Sequence, residues 1–467
     1  MQVVQAYRFA LDPTSEQVRM LNSHAGAARF AYNHMLAVVL ANWNQRTAEK
    51  TYGLEAGQLT PSLDWSCYSL RKEWNRRKPE LAPWWKENSK DSYATGIQRL
   101  AAALKNWSDS HKGKRPGPKI GVPRFKSKRA TRSFRFSENV TLDADRHHVK
   151  LPVIGLVKTH ESLRKLARRI EAGTARIATA TISYQRGRWF VSFVAHVERA
   201  VPALVVSRVV GVDLGLKDLA VVATADGREI ERVRAPSHLR GAQTKLTALQ
   251  RKAARQVGPW DAKGRRRQEA SRGWVRTQKL INRAHARVAW LREDGLHKLT
   301  TRLARENAVV VIEDLNVKGM GAAGGAHKRG LNRSLADASF GQFRRMLQYK
   351  GSWYGAGLVV ADRWYPSSKM CSECGAVKAK LPLSERLFMC DCGAALDRDL
   401  NAAINLARLG LDGAEWPLRS GGADVRPAGT PVGSGVETAS LLAGTSEPQG
   451  PDHEMSGSWL HSRDLIS

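Results

Sequence analysis

The segment at residues 207–234, SRVVGVDLGLKDLAVVATADGREIERVR, narrows the possible folds of this chain more than any other. It divides into three apolar-rich runs, separated by a tight turn at residues 215–218 and a second turn at ADGR. Turns of this kind join neighbouring antiparallel strands, so the segment predicts a three-stranded meander. Long helical patterns follow, then a buried strand VVVIEDL, a helix at about 338–351 and a strand LVVAD. The pattern predicts an α/β domain.

Three acidic residues lie at the ends of these predicted elements. Asp213 ends the first strand of the meander, Glu313 ends the strand VVVIE, and Asp399 begins a predicted helix at 399–409. Acids at the ends of two buried strands can meet across a sheet, where a helix acid completes the cluster. Such a cluster can hold two divalent ions about 4 Å apart, as phosphodiester hydrolysis requires. Because carboxylate oxygens suit Mg²⁺ or Mn²⁺, we predict two such ions there.

Each of these acids also has a simpler interpretation. An acid at a strand end is more often solvated than catalytic, and Asp399 would be favourable near any helix N-terminus. Two neighbouring acids compete for the same roles. Strand alternation places Asp314 on the opposite face from Glu313, and Asp397 is better placed to cap the helix. The order of strand acid, strand acid and helix acid therefore favours Asp213, Glu313 and Asp399.

Four of the five cysteines lie close together in the sequence, as a C-x-x-C pair and a C-x-C pair. These cysteines are Cys371, Cys374, Cys390 and Cys392. Four thiolates can close a tetrahedral Zn²⁺ site, and Gly375 and Gly393 supply permissive turns after each pair. We predict one structural Zn²⁺ that fixes the helix of Asp399 relative to the sheet; the alternatives are a redox dithiol and a metal-free set. Cys67 is interpreted as a packing residue.

The balance of charge indicates the kind of partner. The 467 residues include 75 Lys+Arg and 43 Asp+Glu, for a formal net charge of +32 and a sequence pI near 10.4. Such an excess predicts a polyanionic partner, with nucleic acid as the first candidate. The sequence has no apolar run long enough for a membrane span and no secretion signal at its start. We therefore expect a cytoplasmic protein with neither a membrane partner nor a small-molecule substrate.

A basic loop punctuated by glycine and proline begins at about residue 108, SHKGKRPGPKIGVPRFKSKRATRSFRF. Its cations can neutralise phosphates without reading base sequence, although a solvated loop would have the same composition. The candidate nucleic-acid contacts are Lys119, Arg124, Lys126, Lys128 and Arg129. Aromatic residues before the loop are interpreted mainly as core and secondarily as platforms for bases. They are Trp65, Tyr68, Trp74, Trp84, Trp85, Tyr93 and Trp107.

Several segments together carry a family resemblance. In order, GVDLGLKDLAVV, VVIEDLNVKGM, YPSSKMCSECG and CGAALDRDLNAAINLA resemble the RuvC-like nuclease motifs and zinc ribbon of TnpB, the insertion-sequence protein, and of related compact type V CRISPR effectors. YRFALDPTSEQVRMLNSHAGAARFAYN and GVPRFKSKRATRSFRF resemble the N-terminal half of that family. The resemblance extends from residue 1 to about 410. One departure is the C-x-C pair, which is one residue shorter than the family's commoner C-x-x-C.

The resemblance implies an RNA-guided DNA endonuclease with a ribonuclease H-like fold. The family's catalytic acids map by motif onto Asp213, Glu313 and Asp399. The implied partners are a guide RNA, which reads the target by base pairing, and a double-stranded target DNA with a short adjacent motif. Three other functions stay open: an unguided, structure-selective ribonuclease H-like nuclease, a DNA-joining transposase, and a guided DNA-binding regulator with weak or no cleavage.

The resemblance also implies a bilobed chain that combines α/β, β-barrel and helical parts. Residues 1–10 and 108–204 would form a wedge-like, oligonucleotide-binding-like barrel, interrupted by a helical recognition insertion at 11–107. Residues 205–364 and 397–410 would form a RuvC-like nuclease domain with a zinc ribbon inserted at 365–396. The tail at 411–467 is rich in Gly, Ser, Pro and Thr and is predicted to be disordered.

Overall fold

The computed structural model describes residues 1–128, 131–200, 208–256, 271–322, 325, 328–382 and 384–412. Its helices are α1 (Ser15–Thr51), α2 (Cys67–Leu81), α3 (Lys90–His111), α4 (Arg164–Glu171), α5 (His238–Arg255), α6 (Arg272–Glu306), α7 (Val317–Met320), α8 (Arg329–Ala338), α9 (Phe340–Tyr354) and α10 (Arg398–Asp412). Its strands are β1 (Gln2–Ala10), β2 (Ser133–Phe136), β3 (Thr141–Leu142), β4 (His148–Leu151), β5 (Gly155–Lys158), β6 (Ala175–Gln185), β7 (Arg188–Glu198), β8 (Val209–Asp213), β9 (Asp218–Thr224), β10 (Glu229–Arg234), β11 (Val309–Glu313), β12 (Gly357–Ala361), β13 (Leu387–Met389) and β14 (Ala395–Asp397). None of the helices in these ranges combines the length and apolar character needed to cross a membrane.

Two antiparallel sheets form the β part of the N-terminal half. One has the strand order β1-β7-β6-β2 and the other the order β3-β4-β5. Leu11, just after β1, forms a bridge with Thr159, just after β5, so the two sheets meet along one edge. Phe193 of the larger sheet and Val157 of the smaller sheet consequently belong to one hydrophobic core. The strand predicted at residues 1–10 is confirmed as β1.

Three helices, α1 to α3, build a second core between β1 and β2. α1 begins with a capping box at Thr14, whose hydroxyl accepts a hydrogen bond from the Gln17 N–H. α3 crosses α1 at Gly96, where an added Cβ would lie 2.1 Å from the carbonyl oxygen of Ala28. Only glycine allows the two backbones to approach this closely. The helical character predicted for residues 11–107 is confirmed.

The aromatic residues of this region are mostly packed, as expected. Trp74 and Tyr93 are buried, with their rings stacked at a centroid distance of 5.3 Å. Trp65 packs at the edge of the helical core, and its ring centre lies 6.0 Å from that of Trp107. Tyr68 is 78% exposed, so the core interpretation is wrong for this residue. It lies on the outer face of α2, away from the apolar positions that pack inward.

A five-stranded sheet in the order β10-β9-β8-β11-β12 forms the centre of the C-terminal half. β8, β9 and β10 pair in antiparallel fashion, which confirms the predicted meander. β11 pairs in parallel with both β8 and β12, each connection passing through helices. Crossover helices of this kind place cover on both faces of a parallel sheet. The coarse prediction of a mixed α/β chain with several sheets is therefore confirmed.

The two faces of this sheet are covered by different helices. α6 and α9 pack on one face against Val212 and Ile312, whereas α10 packs on the other against Val311. Side chains alternate along a strand, so Asp213 and Glu313 lie on the α10 face together with Val311. Helices α6 and α9 thus bury the apolar face of the sheet, and the acids lie on the opposite face, which α10 covers.

The last helix of the described chain ends later than the sequence predicts. β13 and β14 pair as a small antiparallel sheet, and β14 leads directly into α10. α10 continues to Asp412, so assigning residues 411 and 412 to a disordered tail is wrong. Gly410 faces the sheet, where an added Cβ would lie only 2.5 Å from Val311 Cγ2. The last turn of α10 is therefore packed against the sheet. Residues 413–467 lie outside the described ranges.

The predicted helix at 338–351 is observed as α9, and a further helix, α8, precedes it. The break between them is Ser339, which adopts a left-handed φ of 52°. Asp337, at the end of α8, is buried and joins three elements. Its carboxylate accepts a 2.8 Å hydrogen bond from Arg292 of α6 and a 2.9 Å bond from the Leu239 N–H of α5. This ion pair therefore fixes the packing of α5, α6 and α8.

We expect Asp337→Ala to lower the free energy of unfolding by about 3–5 kcal/mol, because Arg292 would lose its partner in a buried site. The measurement is the urea midpoint, followed by circular dichroism. Asp294→Ala is the matched control, since Asp294 pairs with Lys298 on the exposed surface of α6. Its cost should stay below about 1 kcal/mol. Equal midpoints for the two variants would contradict the structural role of Asp337.

Candidate active site

The three predicted acids come from three neighbouring elements at one edge of the five-stranded sheet. The register of the parallel strands pairs Val212 with Ile312, so Asp213 and Glu313 follow side by side at the strand ends. Asp399 lies in the first turn of α10, the helix that covers this face. Ligand and catalytic sites of α/β sheets occur at such carboxyl ends of strands, because the side chains there face open space.

The electrostatics of Asp213 show that these acids act on one another. Burial raises the pKa of the Asp213 carboxyl well above its ordinary value, and the carboxylates of Glu313 and Asp399 raise it further. Arg398 opposes this effect and Asp397 adds to it. Like charges raise a carboxyl pKa when they lie near enough to disfavour its ionised form. The cluster therefore concentrates negative charge that a cation would relieve.

Two groups of side chains in the described ranges are close enough to hold one metal ion each. Among the described residues, ligand atoms all within 4.8 Å of one another occur in the four-cysteine group and in a group of Asp143, Asp145 and His148. Asp213, Glu313 and Asp399 do not form such a group among the described residues.

α10 approaches the sheet most closely at Gly211, two residues before Asp213. An added Cβ at Gly211 would lie 2.0 Å from the carbonyl oxygen of Ala403 and 2.5 Å from the amide nitrogen of Ala407. Real Cβ atoms never come this close to backbone atoms, so only glycine permits the contact. Gly211 thereby determines the distance between Asp213 and the helix of Asp399.

The start of α10 is held by a charged network. Asp397 accepts hydrogen bonds from the Leu400 N–H at 3.0 Å and the Asp399 N–H at 3.1 Å, which confirms the predicted cap. Arg232 of β10 donates to Asp397 at 3.1 Å and also to Asp218 at 3.1 Å. Burial would raise the pKa of Asp397, but the Leu400 N–H and Arg232 outweigh it and lower that pKa. Arg232 therefore ties the helix start to the meander.

Glu313 and Asp314 have opposite environments, as strand alternation predicts. Ser367 donates a hydrogen bond from its hydroxyl to Glu313 Oε1. Asp314 pairs with Arg344 at 2.6 Å and with Arg363 at 2.8 Å. The Arg344 hydrogen bond, followed by that of Arg363, lowers the pKa of Asp314. Asp314 is thus neutralised by arginines, whereas Glu313 contributes an acid to the cluster.

The four predicted zinc ligands converge on one point. Cys371 Sγ lies 3.7 Å from Cys392 Sγ, and Cys374 Sγ lies 3.6 Å from Cys390 Sγ. A tetrahedral ion with bonds of about 2.3 Å to sulfur separates its ligands by about 3.8 Å. The shortened C-x-C pair therefore supplies both of its sulfurs to the cluster.

The turns after the cysteine pairs explain how the cluster closes. Gly375 has a φ of 77° and Gly393 a φ of 93°, which confirms that glycine permits both turns. The Gly375 N–H donates to the Cys371 carbonyl at 2.9 Å, and the Gly393 N–H donates to the Cys390 carbonyl at 3.0 Å. Each turn folds the chain back so that the two sulfurs of a pair face inward.

Two buried asparagines connect this cysteine-bearing segment to α10. Asn401 accepts a 2.9 Å hydrogen bond from the Ser372 N–H and donates a 2.7 Å bond to the Met370 carbonyl. One turn later, Asn405 donates to the carbonyls of Ser367 at 2.8 Å and Met370 at 2.7 Å. The segment around Cys371 is therefore hydrogen-bonded to the helix that carries Asp399.

The candidate nucleic-acid contacts are distributed differently. Lys119, Arg124 and Lys128 are exposed in the loop between α3 and β2. Lys126 is half-buried, with its ammonium 3.8 Å from the centre of the Tyr32 ring. Arg129 lies outside the described ranges. Gly211, Arg232, Ser367 and the two buried asparagines are site residues that were not predicted from the sequence.

Comparison with known protein families matches most of the chain in separate parts. The family described as "Helix-turn-helix domain" matches residues 1–47, and the family described as "Probable transposase" matches residues 192–323. The family described as "Cas12f1-like, TNB domain" matches residues 340–406. This last match includes the cysteines and most of α10.

Full-length relatives extend the match across the chain. A Mycobacterium tuberculosis protein named "Putative RNA-guided DNA endonuclease Rv2885c" is 38% identical over 422 residues, 87% of this chain and 86% of the relative. A Streptomyces pristinaespiralis protein named "Putative RNA-guided DNA endonuclease" is 34% identical over 412 residues, 88% and 90% of the two chains. A solved Cas12f1–sgRNA–target DNA complex has a TM-score of 0.47 at 10% identity, over 87% of this chain and 99% of that one. On the sequence identities, the chain belongs to the TnpB family of RNA-guided DNA endonucleases.

We expect Gly211→Ala to push α10 away from β8 and to reduce DNA cleavage about 100-fold, because displacing a reacting group by about 1 Å has effects of that size. Thermal stability should fall as well, since the new methyl group overpacks the interface. Gly295→Ala is the control, because Gly295 is exposed in α6 and an added Cβ there has nothing within 4 Å. Unchanged cleavage by the Gly211→Ala protein would contradict the role of this contact.

Proposed function

We propose that the chain binds a guide RNA and cleaves the target DNA that pairs with it, using Asp213, Glu313 and Asp399 as the catalytic acids. The observation that carries the proposal is the meeting of two strand-end acids and one helix acid on the face covered by α10. The family membership adds guide RNA and double-stranded DNA as the expected partners. The net charge of +32 is consistent with two polyanions bound at once.

The proposed division of the chain follows the predicted domains. Residues 205–364 and 397–410 form a RuvC-like nuclease domain, for which the mixed five-stranded sheet is the supporting feature. Residues 1–10 and 108–204 form an oligonucleotide-binding-like barrel, supported by two sheets that enclose one core. Helices α1 to α3 form the recognition insertion, and residues 365–396 form a zinc ribbon.

The carboxylates of the cluster suit divalent ions by their chemistry. When bound there, two Mg²⁺ or Mn²⁺ ions would activate water and stabilise the leaving oxygen of the phosphodiester. The chain itself supplies the positions: the parallel register aligns Asp213 with Glu313, and the Ser367 hydroxyl orients Glu313. Arg232, through Asp397, holds the helix start that carries Asp399.

The test is to purify the chain from cells that also express its native flanking DNA, and to sequence the RNA that co-purifies. We expect one defined RNA with a constant part and a variable end, and cleavage of DNA that matches the variable end. Glu313→Ala should abolish cleavage and leave RNA binding near the wild-type level. Asp314→Ala is the matched control and should retain cleavage, since Asp314 is already paired with two arginines.

Each alternative function gives a different result in this experiment. Guided binding without cleavage by the wild-type protein would favour a DNA-binding regulator. Cleavage of branched DNA without a defined RNA would favour an unguided ribonuclease H-like nuclease, and strand joining would favour a transposase. Cleavage that survives Glu313→Ala would overturn the assignment of the acids, even if a guide RNA is found.

We propose that the four-cysteine group binds one structural Zn²⁺. We expect about one zinc per chain by inductively coupled plasma mass spectrometry, and Cys371→Ser should lose most of it, because Cys371 is the buried member of the group. Loss of zinc should also reduce cleavage, since Asn401 and Asn405 join this segment to the helix of Asp399. Cys67→Ser is the control and should retain both properties. A metal-free wild-type protein with disulfides would favour the redox alternative.

A further inference from the structure

A cavity lined by cations lies between α1, α3 and the chain that enters β2. It is a shallow depression that opens to solvent. Four basic side chains from three segments line it: Arg29, Arg99, Lys126 and Arg132. The cavity is far along the chain from the acids of the sheet, and nothing in the proposed cleavage mechanism uses it.

The walls of this cavity are fixed by specific contacts. Gly96 sets the close crossing of α1 and α3 at one side. Asn33 of α1 holds the loop backbone at Lys126, accepting a 2.8 Å hydrogen bond from its N–H and donating a 3.0 Å bond to its carbonyl. Arg99 donates to the carbonyl and the hydroxyl of Ser133 at 2.8 and 2.7 Å. The cations are therefore arranged by the fold before any ligand is present.

The charges in this cavity are not balanced by carboxylates. Among the residues that the structure describes, none of the four cations forms an ion pair with an acid. Burial, with a smaller contribution from Arg99, lowers the pKa of Lys126 to about 8. Burial also lowers the pKa of Arg99, and the nearby charge of Arg135 adds to this lowering. Neighbouring cations without a counter-charge are unfavourable, and an anion in the cavity would relieve their repulsion.

We propose that this cavity binds one backbone phosphate of a nucleic-acid strand. Arginine and lysine bind phosphate oxygens through charge-assisted hydrogen bonds, and a phosphodiester carries one negative charge on an accessible group. The site contacts the backbone and not a base edge, so it positions a strand without reading its sequence. The inference rests on the proposed function for its ligand, because guide RNA and target DNA both supply such phosphates.

The first experiment uses inorganic phosphate and the protein without RNA, so it does not depend on the proposed function. Lys126→Met removes the half-buried charge and retains the length of the side chain. Lys128→Met is the matched control, since Lys128 is exposed two residues further on and does not line the cavity. Phosphate should raise the melting temperatures of the wild type and of Lys128→Met. The rise should be smaller for Lys126→Met. An equal rise in all three proteins would overturn the site.

The second experiment identifies the strand that supplies the phosphate. Affinities for the co-purified guide RNA, and of the RNA-loaded protein for its target DNA, are measured against salt concentration. Lys126→Met and Arg29→Gln should weaken one of these affinities about tenfold and reduce its salt slope by about one. Lys105→Met is the control for this experiment and should change the affinity less, since Lys105 is exposed on α3 and does not line the cavity. If Lys126→Met and Arg29→Gln both bind guide RNA and target DNA with the affinities of the wild type, the proposal is overturned.

The two experiments separate failure of the site from failure of the proposed function. A chain that co-purifies with no defined RNA would fail as a guided nuclease, yet the phosphate titration would still decide whether the cavity binds an anion. Arg99 is left unchanged in these tests because its bonds to Ser133 support the fold. The melting temperature of Lys126→Met without phosphate is the folding control, and it should equal or exceed that of the wild type.

Discussion

The contact between Gly211 and α10 is the constraint on which the candidate active site depends. The absence of a side chain at Gly211 lets the backbone of α10 lie directly on β8. Small residues at Ala403 and Ala407 make the same approach possible from the helix side. Since Asp213 follows Gly211 by two residues and Asp399 precedes Ala403 by four, one backbone contact sets the separation of two acids. Any larger residue at Gly211 would change the site before it changed the rest of the sheet.

A second group of interactions prevents α10 from sliding along the sheet. Packing alone allows a helix to shift, because apolar contacts have little directional preference. Asn401 and Asn405 add direction: their amides bond to the backbone of the cysteine-bearing segment, which also supplies Ser367 to Glu313. The segment thus contacts both the helix that carries Asp399 and the strand acid Glu313. A metal bound at its cysteine cluster, as proposed above, would hold this connecting segment in place.

Much of this arrangement was predictable from the sequence because it depends on local signals. Strand alternation separated Glu313 from Asp314, cap chemistry identified Asp397, and glycines after the cysteine pairs indicated tight turns. The parallel pairing of β8 with β11 was not predictable, since it joins segments about a hundred residues apart through two helices. Arg232 was missed for the same reason: its partners become neighbours only after the sheet forms. The two asparagines did carry a signal, as polar residues four apart on the buried face of an otherwise apolar helix.

The acid cluster and the cationic cavity follow one physical rule with opposite signs. In each, the fold brings like charges together, and burial together with these neighbouring charges shifts a pKa, upward at Asp213 and downward at Lys126. Such clusters cost stability in the free protein, so a bound counter-ion returns free energy to the folded state. Divalent cations would do so at the acids and phosphates at the cavity. Because nucleic acid brings phosphates and attracts divalent cations, binding of the substrate would stabilise both sites together.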